Sequence, residues 1–127
     1  MTPAISRILV PALLGALALG ACSKTEPEVS FSADVQPLLA ARCGACHVPG
    51  QAGYEASGLG MASYEALMQG TKFGAVVIPG NALSSTLTML IEGRADPSIR
   101  MPHGGEPLSV AEQELVHTWV EQGARDN

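Results

Sequence analysis

Apolar residues fall first into an almost unbroken run, Ile8 to Leu19, interrupted only by Pro11 and Gly15. The polar stretch "SKTEPEVS", residues 23–30, follows and carries no periodicity. Beyond it, apolar positions recur at three- and four-residue spacing in short segments, the signature of helices with one buried face. Val35, Leu38 and Leu39 predict a first helix from about Asp34, with Asp34 as its cap and Pro37 in its first turn, where a missing N–H costs little. Residues 48–60, "VPGQAGYEASGLG", hold four glycines and a proline and read as a loop. Ser63 then precedes a helical stretch, "YEALMQ", that Gly70 stops. "VVIPGNALSS" is extended and turns at Pro79-Gly80. Leu83, Leu87, Leu90 and Ile91 share a face, predicting a helix over Leu83 to Glu92, and "GRADPSIRMPHGGEPL" is a second long loop. The last helix carries the clearest signals. Ser109 and Glu112 form a capping box, Leu115, Val116, Trp119 and Val120 make one stripe, and Gly123 suits the C-cap. No segment has the alternation and β-branched content of a strand pair. The expected class is all-α: about four short helices and two long loops.

The first apolar run belongs to a different category. It is too short for a comfortable membrane span, Arg7 precedes it, and small residues close it at Cys22, as in an export signal. Leu19-Gly20-Ala21-Cys22 resembles the lipobox of bacterial lipoproteins, which implies a signal peptide over residues 1–21 and lipidation of Cys22. Residues 22–30 would then be the lipidated N-terminus and a flexible tether, and residues 31–127 the domain. Acyl chains at Cys22 would hold the protein on a membrane, facing the periplasm. Ser23 is not the aspartate associated with inner-membrane retention, so the same resemblance implies the outer membrane where the cell has two membranes.

Charge narrows the partners. The chain of 127 residues has 7 Lys and Arg against 12 Asp and Glu, a formal −5. Loss of Arg7 with the signal leaves −6, which excludes the basic footprint of a nucleic-acid binder. Only Phe31, Tyr54, Tyr64, Phe73 and Trp119 are aromatic. A domain of roughly a hundred residues so short of large apolar groups gains from something to fold around.

Candidate chemistry is concentrated in "CGACH", where Cys43, Cys46 and His47 stand within five positions. A thioredoxin-like disulfide would need the motif to open a helix in a βαβ frame, and that frame is missing. Zinc would need more ligands, and His103 and His117 are isolated residues without a second paired motif. Covalent haem attachment uses every residue of the motif: two thiols add to the two porphyrin vinyl groups, and the adjacent imidazole binds iron. One haem c, iron-bearing and covalent, is therefore expected on Cys43, Cys46 and His47. Neutral His47 would ligate through Nε2, and its Nδ1 needs an acceptor. The carbonyl of Pro49 is one candidate, and Pro49 could equally just turn the chain.

The sixth iron position has several claimants. Met68 and Met89 have apolar helical neighbours and read as core, Met61 reads as packing, and His117 as a partly exposed surface residue. Met101 differs, standing in an irregular loop stiffened by Pro97 and Pro102. It is the leading distal ligand, with His103 as the alternative and an open or water-bound site as a third.

Taken in order, "CGACH", "VIPGNALSSTL" and "RMPHGGEPLSVAEQELVHTWVEQGA" resemble the small monohaem c-type cytochromes of the class I kind, over about residues 31–125. The resemblance implies a cytochrome c-like fold whose first and last helices cross and pack beside the haem, with Trp119 near the crossing. His103 departs from the pattern, since many relatives carry proline or a small residue after Met-Pro. The implied function is an anchored carrier of single electrons, not an enzyme, exchanging with a redox protein donor and acceptor. Its acidic surface favours partners with a basic docking rim. A haem sensor or ligand-binding domain with a labile or open sixth position is the main alternative, and a peroxidase-like enzyme using His103 as base is a weaker one.

Overall fold

The computed structural model describes residues 26–127. The signal over residues 1–21 and the lipidation site Cys22 lie outside the described residues. Among the described residues there are five α-helices, α1 (Gln36–Cys43), α2 (Ala52–Ser57), α3 (Tyr64–Gln69), α4 (Thr86–Ile91) and α5 (Val110–Glu121). Among the described residues there is no strand beyond a single bridge between Thr71 and Gly74. No helix there is long and apolar enough to cross a membrane. The fold is all-α and cytochrome c-like, as expected, with one helix more than expected.

The chain enters α1 through a π-wound turn, Phe31–Val35. Its cap is Ser30, not Asp34: Ser30 Oγ accepts from the Ala33 N–H at 3.1 Å, and Asp34 returns a bond from the Ser30 N–H at 2.9 Å. The capping residue therefore lies four positions earlier than the periodicity indicated, and Asp34 serves as its reciprocal partner. The packed chain also starts earlier. Gln122 Nε2 donates to the Pro27 carbonyl at 3.0 Å, and the Val29 N–H donates to Gln122 Oε1 at 2.8 Å. Residues 27–30, expected as tether, are thus held against the end of α5.

Helix α2 occupies part of the stretch expected as loop. It is six residues long, has no buried side chain, and ends at Gly58, whose φ of 78° closes it in the left-handed region. Helix α4 begins three residues later than expected. Asn81 Oδ1 accepts from the Ser84 N–H, so residues 81–84 form a turn, and Leu83 is exposed.

The core joins the chain's two ends. Phe31, Tyr64 and Trp119 meet with ring centroids 5.2 to 6.5 Å apart, the spacing of favourable tilted and edge-on aromatic pairs. Trp119 Nε1 donates to the Arg125 carbonyl and Tyr64 Oη to the Ala124 carbonyl, both at 2.9 Å, so neither polar tip is left unpaired. Trp119 thus meets the turn that leads into α1, while Val35 and Leu39 continue the same core. The Ser109–Glu112 capping box forms with both bonds. This packing fixes α1 and α5, and the loops that bear the chemistry hang from their ends.

Candidate functional site

Helix α1 delivers Cys43 in its last turn and stops at Gly44. A Cβ there would lie 2.6 Å from the Ala40 carbonyl oxygen, so only glycine fits. The Cys43 carbonyl then accepts from the N–H groups of both Cys46 and His47 at 3.0 Å, folding the motif into a compact turn. Two more of its carbonyls are also used. Tyr54 N–H donates to Cys46 and Met61 N–H to His47, each at 2.9 Å. Helix α2 is brought so close that a Cβ on Gly53 would lie 2.8 Å from the Cys46 oxygen and 3.0 and 3.1 Å from His47 Cε1 and Nε2.

His47 Nδ1 is buried and makes no hydrogen bond among the described residues. Pro49 therefore does not act as its acceptor. It occupies a tight turn in which the Gln51 N–H donates to the Val48 carbonyl at 3.0 Å and Gly50 takes a φ of 86°, the pattern of a type II turn. Cys43 and Cys46 are free thiols. Burial pushes the Cys43 thiol up to about 11, with Arg42 opposing and Cys46 adding to the rise. A thiol so protonated at neutral pH is a poor redox nucleophile, the reverse of what a thioredoxin-like pair requires. Among the described residues, no three or more of His, Cys, Asp and Glu are grouped as a zinc site requires.

The second half of the site comes from the loop between α4 and α5. A 3-10 turn, Pro97–Ile99, is capped by Asp96, whose Oδ1 accepts from the Ser98 N–H at 2.9 Å. Met101 follows, its N–H donating to the Leu90 carbonyl at 3.3 Å. Met101 is half-buried against the core, and His103 is exposed.

All five expected site residues of the domain open on one cavity of about 440 Å³: Cys43, Cys46, His47, Met101 and His103. Its walls are largely apolar, with Leu59, Met61, Val76, Leu87 and Ile91 among them, and no carboxylate lines it. Met61, read as packing, is buried and also forms wall. Met68 and Met89 do not line the cavity. Neither does His117, which is 39% exposed and bonds through Nδ1 to Glu92 Oε1 at 2.7 Å. Among the lining residues that were not anticipated are Arg42 and Gly53. Arg42 adjoins the motif in sequence, but what it touches lies more than sixty residues away. Gly53 was one glycine among four in its loop.

The residues present fit a haem. Two unpaired thiols, an imidazole and a thioether share an apolar, carboxylate-free hollow. A protein-family model described as Planctomycete cytochrome C matches residues 43–104. The match supports a cytochrome c-like family. It begins at Cys43 and ends just past His103, so it spans both halves of the cavity's donor set. A family of this kind points to haem c as cofactor and to haem-based electron transfer in general. Neither the curated proteins nor the solved structures contain a match.

Proposed function

We propose that this protein is a membrane-anchored monohaem c-type cytochrome that carries single electrons between redox partners outside the cytoplasm. The observation that supports it best is the convergence of Cys43, Cys46, His47 and Met101 on one apolar cavity. Cys43 and Cys46 would hold one haem through thioether bonds, with His47 as proximal and Met101 as distal iron ligand. Haem iron bound there supplies one-electron chemistry, and a thioether ligand favours its ferrous state relative to a second imidazole. Leu59, Met61, Val76, Leu87 and Ile91 keep water from the site and lower its dielectric. With His47 and Met101 both holding the iron, no position would be left for a substrate, so the protein would act as a carrier and not as an enzyme.

Anchoring follows from the first 22 residues: removal of residues 1–21 and lipidation of Cys22 would place the domain at the periplasmic face, on the outer membrane where the cell has two. A net −6 over the remaining chain favours donors and acceptors with a basic rim, and makes their association fall with added salt.

One observation favours a second reading. His103 lines the same cavity two residues from Met101, so a labile or exchanged sixth ligand would make this a haem sensor or ligand-binding domain. Optical spectra of the purified full-length protein separate the two. A stable carrier binds carbon monoxide slowly when reduced and shows, when oxidised, the weak methionine–ferric charge-transfer band. The band should disappear in Met101→Ala and survive in His103→Ala. Rapid carbon monoxide binding by the unaltered protein would sink the carrier reading.

A further inference from the structure

We infer that Arg42 is a positioning residue: it ties the loop that carries Met101 and His103 to the helix that ends in Cys43. This rests on the haem reading for its consequence, although the tie itself is a property of the chain. Arg42 Nη2 donates to the carbonyls of Glu106 at 3.1 Å and Pro107 at 2.9 Å. Its Nε lies 3.5 Å from Glu112 Oε1 but makes no hydrogen bond, so the hydrogen-bonded hold on the loop comes through Nη2. The side chain is 29% exposed and forms part of the cavity wall beside the residue that follows it, Cys43.

The loop needs such a tie. Residues 103–107 are exposed, and among the described residues the only backbone–backbone bond between Met101 and Leu108 is from the Gly105 N–H to the Pro102 carbonyl at 3.3 Å. On the α4 side, the Met101 N–H holds to Leu90. On the other side, the carbonyls of Glu106 and Pro107 hold to Arg42. The segment bearing both candidate distal ligands is therefore suspended between two fixed points, and one of them is the residue next to the attachment motif. Displacing that point would move the thioether relative to the imidazole, because the two halves of the site share this guanidinium as a strut. Hydrogen bonds from a cation are roughly twice as strong as neutral ones, and both here come from Nη2, whose two N–H bonds are held in the guanidinium plane one bond beyond the reach of a lysine nitrogen.

The test uses the full-length holoprotein and three variants: Arg42→Met, Arg42→Lys and Glu112→Gln. Two quantities are measured, hydrogen exchange of the Gly105 amide, which donates to the Pro102 carbonyl, and the rate of carbon monoxide binding to the reduced protein. Arg42→Met should raise both at least about tenfold, the effect of losing two charge-assisted bonds. Arg42→Lys keeps the charge but ends one bond short of the Nη2 position, and should raise both as well. Glu112→Gln preserves the capping box and should leave both within about twofold. Unchanged exchange in both Arg42 variants overturns the proposal. So does a normal Arg42→Lys beside a loosened Arg42→Met, because charge alone would then hold the loop. Should Arg42→Met fail to take up haem, Arg42→Lys decides. An unaltered protein that lacks a haem spectrum would refute the cytochrome reading separately, while loop exchange would still report on the strut.

Discussion

Gly53→Ala probes the proximal side of the site with the smallest possible change. The added methyl carbon would stand 2.8 Å from the Cys46 carbonyl oxygen and 3.0 to 3.1 Å from the tip of the His47 imidazole. The first contact is with backbone that is already committed, since that carbonyl accepts from the Tyr54 N–H at 2.9 Å. It cannot retreat without breaking the bond that seats α2. The second contact is with a side chain held by its own carbonyl, which accepts from Met61. Either α2 or the ring must shift, and overpacking of this kind costs about 1–3 kcal/mol. Against a total stability of about 5–15 kcal/mol for a domain, that is a large fraction.

A control isolates the cause. At Gly50, with φ of 86°, a Cβ would meet nothing within 4 Å. Gly50→Ala should therefore cost about 1–2 kcal/mol of backbone strain alone and leave the imidazole where it is. Both variants are compared by denaturant unfolding and by the magnetic resonance signature of the His47 ring. Gly53→Ala should lower the midpoint and move the ring's resonances, whereas Gly50→Ala should lower the midpoint and move nothing. A Gly53→Ala protein with wild-type stability and an unmoved ring would refute the close approach of α2 to the motif.

Two further outcomes follow from the packing. Burial pushes the Glu92 carboxyl up, but hydrogen bonds from His117 and Arg94 outweigh it and hold the group below its ordinary 4.5. A depressed folded-state value means stability present above the unfolded value and lost as pH falls through the folded one, so Glu92→Gln should lose less stability on acidification below about pH 4.5 than the parent, as read by unfolding at stepped pH. Trp119→Phe removes the Nε1 bond to the Arg125 carbonyl and part of a fully buried ring, and should cost about 1–3 kcal/mol. The same change should speed exchange of the Ser32 amide, which donates to the Asn127 carbonyl at 2.9 Å, because residues 124–127 lose their hold.

What was legible in the sequence, and what was not, divides by the range of the interaction. The ends of α3 and α5 were readable because capping is local: Ser63 and Ser109 bond to N–H groups three positions on, and Gly70 and Gly123 take positive φ just beyond each helix. Helix α2 gave no such signal. Gln51 makes no side-chain cap, and no residue of the helix is buried. What steadies it is contact with other parts of the chain and its own turn: Tyr54 N–H on Cys46, and Ser57 Oγ donating to the Gly53 carbonyl at 2.6 Å. The expected start of α4 failed for a related reason. Leu83 matched the apolar period, but Arg94 Nη1 reaches back to its carbonyl at 3.0 Å and the side chain faces solvent. The period of one residue could not reveal a contact eleven positions away.

The site repeats that division on a larger scale, and the asymmetry bears on function. Its proximal half is almost self-sufficient: Cys43, Cys46 and His47 are set by bonds within five residues, with α2 clamped on top. That is why five letters announce it. Its distal half is set by partners far along the chain, Leu90 at one end of the segment and Arg42 at the other, with glycines at 104 and 105 between them. A rigid anchor facing a suspended ligand loop means that substitutions near the motif should chiefly decide whether a cofactor is held. Substitutions at Arg42, or in the loop, should chiefly decide how firmly the sixth position is closed. On the haem reading proposed above, the distinction between an electron carrier and a ligand-binding protein would then rest on a few hydrogen bonds to backbone carbonyls, not on the motif that first draws attention.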